Sequence, residues 1–148
     1  MENRFFSARE RVLSESTEEG GIGTLAEKLV HKVLKYWIEP REEYHERRLC
    51  GSVADIFDGE RIVEIQTRAF IKLLPKLRKF LVSYPVTVVY PVVTDRLVEW
   101  CDPESGEIVE VKKSPKKGRE CDLLAELAGL SDLVGREGLR FKIGRAHV

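Results

Sequence analysis

The sequence has no charge to spare. Lys and Arg number 25 and Asp and Glu number 25, so the formal net charge is zero. No overall field draws the chain to nucleic acid or to a membrane surface, and any polyanion site has to be a local patch. Long apolar runs are missing too. No stretch reaches membrane-spanning length, and the first residues, "MENRFFSARERVLSESTEEGG", hold no signal-peptide core. Cysteine is scarce: Cys50, Cys101 and Cys121 are odd in number, far apart, and accompanied by neither CxxC nor clustered His. That argues against a disulfide framework or a zinc site, and for reduced thiols in the cytoplasm. Repeats and low-complexity segments are absent.

What is present fits one domain of 148 residues, long enough for a single core. Residues 1–22 are polar and charged, and read as a flexible lead-in in which Phe5 and Phe6 are the candidates for docking. From Thr24 the spacing of Leu25, Leu29, Val30, Val33, Leu34, Trp37 and Ile38 predicts a helix that Pro40 stops. "EEYHERRLC" reads as an edge strand. Strands at about 52–57 and 61–67 follow, joined at Asp58-Gly59 as a hairpin. Apolar residues at 70, 73, 74, 77, 80, 81 and 84 predict an amphipathic helix with Pro75 at its start or at a kink. "PVTVVYPVV" is a strand covered on both faces. A second hairpin turns between Asp102-Pro103 and Gly106, and "ECDLLAELAGLSDLV" is a short helix. The fold class is therefore α/β, in the order αβββαβ, then a hairpin and a helix.

The first hairpin carries three polar residues, Asp55, Glu64 and Gln66, in runs that otherwise read as core strand. A two-residue Asp58-Gly59 loop pairs Phe57 with Glu60, Asp55 with Ile62 and Val53 with Glu64. Opposed residues share a face, so all three polar side chains fall on one face, with Asp55 and Glu64 as diagonal neighbours. A three-residue loop would turn Asp55 to the other face. Two carboxylates that close in an apolar sheet are costly unless a cation lies between them. A hard divalent cation is the natural partner, and a solvated strand edge is the plain alternative. Glu27 stands at the border of the apolar stripe of the first helix, with His31 one turn further on.

A helix with an acid, a hairpin with Asp…Glu-x-Gln, a further helix and a buried strand together resemble the PD-(D/E)XK nuclease superfamily. The segments in question are Ala54-Asp55, Glu64-Ile65-Gln66 and "GGIGTLAEKLVHKVL", and the resemblance covers about residues 23–93. It implies a restriction-endonuclease-like or Holliday-junction-resolvase-like core, a mixed sheet flanked by helices. It also implies Mg²⁺ (or Mn²⁺) held by Asp55, Glu64 and the main-chain carbonyl of Ile65, with Glu27 as auxiliary acid. Metal-dependent hydrolysis of DNA phosphodiesters follows, with Gln66 where the family usually has Lys. Gln can hydrogen-bond a water but brings no positive charge.

Basic residues supply candidates for DNA contact: Arg47 and Arg48 beside His45, Arg68 after the motif, and Lys112, Lys113, Lys116, Lys117 and Arg119 in "KKSPKKGR". Lys72, Lys76, Arg78 and Lys79 read as the outer face of an amphipathic helix. A homodimer is compatible with the resemblance, and no small-molecule cofactor is implied. Two other functions stay open: a catalytically idle scaffold of this fold that binds nucleic acid or a protein, and an unrelated cytosolic α/β binding module. The final "IGRAHV", residues 143–148, resembles one reading frame of a common sequencing adapter. It is expected to be a non-native tail on a nuclease-like domain spanning residues 23–142 and truncated at its C-terminus.

Overall fold

A computed structural model describes residues 2–16, 25–95, 97–102, 105, 107–115 and 117–147. The side chains at 2, 3, 16, 25–27, 95, 97–99, 101 and 145–147 lie outside the described set. Among the described residues, four α-helices and seven strands follow in the order α1 (Glu2–Ser16), α2 (Leu25–Ile38), β1 (His45–Leu49), β2 (Ser52–Phe57), β3 (Ile62–Ile65), α3 (Leu74–Phe80), β4 (Val86–Asp95), β5 (Leu97–Cys101), β6 (Ile108–Lys113), α4 (Asp122–Ala128) and β7 (Leu139–His147). The main sheet runs β1-β2-β3-β4-β7, and β5-β6 is a separate two-stranded sheet. β1, β2 and β3 are antiparallel, while β4 is parallel to both β3 and β7, so the five-stranded sheet is mixed. From α2 onward this is the α/β order that the sequence pattern predicts.

Alternation along β3 and β4 divides the interior into two layers. Ile62, Val86, Val88, Tyr90 and Val92 face Phe70, Leu73, Leu77 and Phe80 of the α3 region, together with Leu123, Leu130 and Leu133 around α4. Val63, Ile65 and Val89 face the other way, onto Leu34 and the flanking Val30, Trp37 and Ile38 of α2. Both faces of the central strands are covered, which is why "PVTVVYPVV" reads as unbroken apolar sequence.

Three features depart from the sequence reading. Residues 2–16, expected as a flexible lead-in, form α1. Its Ala8 and Val12 are buried against Val33 and Tyr36 of α2, and Phe5 meets Trp37 edge-on at 6.3 Å. Phe5, Ala8 and Val12 recur at i, i+3 and i+7, a thin stripe that the surrounding charges obscure. Residues 143–147, expected as part of a non-native tail, continue β7 and pair with β4 from Tyr90↔Ile143 to Asp95↔His147. The first hairpin turns through Asp58–Arg61 and not through two residues, with Phe57 opposite Ile62. Asp58 holds that loop: its carboxylate accepts from the Glu60 and Arg61 amides at 3.0 and 2.9 Å, and Gly59 takes φ +100°.

Candidate functional site

The longer turn changes the register by two residues, and an even shift keeps each residue on its face. With Ile56 opposite Val63, the next step places Asp55 directly across from Glu64. There the ladder ends, and side chains take over its bonds. The Asp55 amide donates to Glu64 Oε1 at 3.1 Å, and the Ile65 amide donates to Asp55 Oδ2 at 2.8 Å. The strands have parted: Ala54 packs in the α3 layer, while Ile65 packs in the α2 layer.

The two acids therefore do not present one shared face as expected. Asp55 reaches the α2 layer, where His31 Nε2 lies 3.2 Å from its Oδ2. Glu64, 1% exposed, reaches the α3 layer, where Lys76 Nζ lies 2.5 Å from its Oε2. Burial pushes the Glu64 carboxyl up to about 7, helped by the charge of Asp55 and opposed by Lys76. Burial pushes Asp55 upward as well, but the His31 contact, the Ile65 amide and Lys76 outweigh it and hold that carboxyl below its usual range. The pair thus separates into one acid that keeps its proton toward neutrality and one that stays ionised.

Gln66 follows two residues after Glu64, but its Nε2 donates to the Arg68 carbonyl at 2.5 Å. Its side chain is committed to its own loop. Glu27 falls within α2, one turn before His31, and its side chain lies outside the described residues. Among the described residues, no three His, Cys, Asp or Glu side chains gather as metal ligands. The oxygens brought together here are those of the Asp55 and Glu64 carboxylates, each bound to a main-chain amide of the facing strand.

A cleft of about 400 Å³ opens beside the pair, between α2 and the end of β3. Lys28, His31, Lys32 and Lys35 line one wall, and Gln66 and Glu46 are among the residues opposite. Glu46 stands across β1–β2 from Asp55, since its neighbours His45 and Arg47 pair with Ile56 and Ala54. It adopts φ +50°, a left-handed conformation that a non-glycine residue seldom takes. Its Oε1 lies 2.7 Å from Nζ of the buried Lys35, whose hydrogen bond holds the Glu46 carboxyl down.

The basic residues singled out from sequence are spread more widely. Arg47 and Arg48 are exposed on the edge strand β1, and Arg47 donates to the Glu43 carbonyl at 3.2 Å. Arg68 is exposed just beyond the site. Lys112 and Lys113 lie on β6, and Lys112 pairs with Glu110 at 2.8 Å. Arg119 pairs with Asp122 at 3.2 Å, Lys117 is exposed, and Lys116 lies outside the described residues. None of the described ones lines the cleft. The sequence reading missed His31, Lys76 and Glu46 as members of the site.

The fold and site define a mixed α/β domain with a buried acid pair where two central strands separate. Residues 28–148 match the family described as Domain of unknown function (DUF8091), and the chain belongs to that family. It is similar to an uncharacterized protein of Treponema pallidum (strain Nichols), 38% identical over 128 residues. The match takes in 85% of this chain and 50% of the relative, so the chain spans about half the length of that protein. No solved structure matches.

Proposed function

We propose that this domain hydrolyses phosphodiester bonds of DNA with the help of a divalent cation at Asp55 and Glu64. The observation that carries the reading is the acid pair itself. Two carboxylates, each held by the other strand's main-chain amide and one buried enough to be pushed up to about 7, form a compact oxygen site. All the donors are hard oxygens. Two carboxylates are a small set, and Mg²⁺ tolerates a small set because it keeps several waters.

When bound, such an ion supplies Lewis acidity toward a phosphoryl oxygen and lowers the pKa of a water. The chain's own residues do the rest. Asp55 and Glu64 hold the ion, and the amides of Asp55 and Ile65 fix their carboxylates across the strand gap. His31 keeps Asp55 ionised and oriented. Lys76 brings the cation that Gln66 lacks, reaching the pair from α3 and not from β3. Positive charge placed there favours the charge that develops on the phosphoryl oxygens. Gln66 is left to hydrogen-bond a water or the substrate once released from Arg68.

One observation favours the idle-scaffold reading. Lys76 already satisfies Glu64, and the Gln66 amide is spent on a loop carbonyl. A cleavage assay separates the two. Full-length chain is incubated with labelled linear and branched DNA in Mn²⁺ or in EDTA. Hydrolysis in Mn²⁺ alone supports the enzyme, and intact DNA in both supports the scaffold.

A further inference from the structure

We propose that the cleft beside α2 seats a single phosphodiester strand, gripped through its phosphates by Lys28 and Lys32 without reading its bases. This rests on the hydrolytic reading above and adds which form of nucleic acid enters, and by which residues.

The arrangement of cations comes first. Lys28, Lys32 and Lys35 lie at i, i+4 and i+7, on one face of α2. The two that grip, Lys28 and Lys32, lie four residues or about 6 Å of helix rise apart, the scale of two neighbouring phosphates of one strand at about 3.4 Å or more each. The cations form one row, and a duplex would bring two strands to it. The cleft volume, about 400 Å³, is also that of a small-ligand site and not of a groove for a double helix.

The lining says how the strand is held. Among the described residues no Phe, Tyr or Trp lines the cleft, so none of them places a ring to stack on bases. Two of the three cations already carry internal counter-charges. Lys32 pairs with Glu15 of α1 at 2.8 Å, with both side chains more than a third exposed. Such a pair contributes little to stability, and a phosphate can replace its carboxylate at small cost. Lys35 is buried and fixed on Glu46, so it sets the floor of the cleft and not its grip. His31 lines the same cleft and touches Asp55, so a strand lying there continues into the acid pair.

The test measures binding apart from cleavage. Fluorescence anisotropy of full-length chain in EDTA is followed with a short labelled single-stranded DNA, its blunt duplex, and a single-stranded RNA of the same sequence. Single strands should bind tighter than the duplex, because the cleft admits one strand and not two, and the tighter of the DNA and RNA strands names the substrate. Lys28→Ala/Lys32→Ala should weaken strand binding about tenfold and lower the salt slope by about 1.4, the share of two phosphate contacts. Lys28→Arg/Lys32→Arg should restore both, and Lys79→Ala, on the exposed side of α3, should change neither. Equal binding of the duplex, or strand binding indifferent to the lysine pair, overturns the proposal. Lysine-dependent strand binding without hydrolysis in Mn²⁺ leaves it standing and removes the hydrolytic reading instead.

Discussion

Lys76 Nζ lies 2.5 Å from Oε2 of Glu64, and the carboxylate it meets is 1% exposed. A lysine from one layer thus reaches an acid in the middle of the sheet. Removing one partner of a buried pair leaves the other uncompensated. Lys76→Met should therefore cost roughly 3 kcal/mol at pH 8, where Glu64 is ionised. The cost should shrink at pH 6, because Glu64 can take up a proton. Lys76→Met/Glu64→Leu should recover most of the loss. Urea unfolding at the two pH values checks all three.

Glu64 sets a pH dependence of its own. Its carboxyl is pushed up to about 7 from an ordinary 4.5, so the folded state binds the proton more tightly than the unfolded one. That contribution is fully present below about 4.5 and is lost as pH rises through about 7. Asp55 acts oppositely: its lowered carboxyl contributes above its ordinary 3.8, and the contribution is lost on further acidification. In EDTA the melting temperature should fall between pH 5 and 8. Glu64→Gln should flatten that fall, and an unchanged slope would show that Glu64 is not its source.

Divalent cations should reverse the destabilisation. An ion that binds only the folded state stabilises it by about 2.7 kcal/mol at one hundred times its dissociation constant. Millimolar Mn²⁺ should raise the melting temperature at pH 7.5, and Asp55→Ala should abolish the rise. The metal-free Asp55→Ala protein should melt below wild type, since it loses the His31 contact and leaves the Ile65 amide without its acceptor. Differential scanning fluorimetry reads both.

Helix α1 should behave as part of the core. Val12 is wholly buried beside Val33 and Tyr36. Val12→Ala should cost about 2 kcal/mol, the scale of two buried methyl groups and the cavity they leave. A cost near zero would mean that α1 is dispensable.

Much of this was legible in the chain. Leu29, Val30, Val33, Leu34 and Trp37 recur at helical spacing because α2 covers one face of a sheet, and β4 is apolar because helices cover both of its sides. Asp55 and Glu64 stood out as polar residues in core strands, and they do meet. Their partners were not legible. Lys76 lies in a charged helix face like any other, and only packing shows that its ammonium ends on a buried carboxylate. The separation of β2 from β3 at Asp55 was hidden too, since hairpin rules carry the ladder straight through. Glu46 was obscured by its neighbours: in "HERR" nothing marks the one residue held at φ +50°.

Gln66 and Lys76 divide a role that one lysine would fill. Lys76→Met should lower any Mn²⁺-dependent cleavage by about a hundredfold, as loss of a charge-stabilising donor does. Gln66→Lys/Lys76→Met should regain most of the rate, because it returns a cation to the neighbouring strand. Rates that ignore both substitutions would place the needed charge elsewhere. Single-turnover kinetics on a labelled strand measure them.

The most direct measurement is cleavage itself, by full-length wild type, Asp55→Ala and Glu64→Ala, with labelled DNA at pH 7.5 in Mn²⁺. Wild type should cut, neither variant should cut above the metal-only background, and both should keep their folded circular dichroism. DNA that stays whole with wild type, or cutting that survives the loss of either acid, would contradict the assignment of Asp55 and Glu64 as the metal-holding pair.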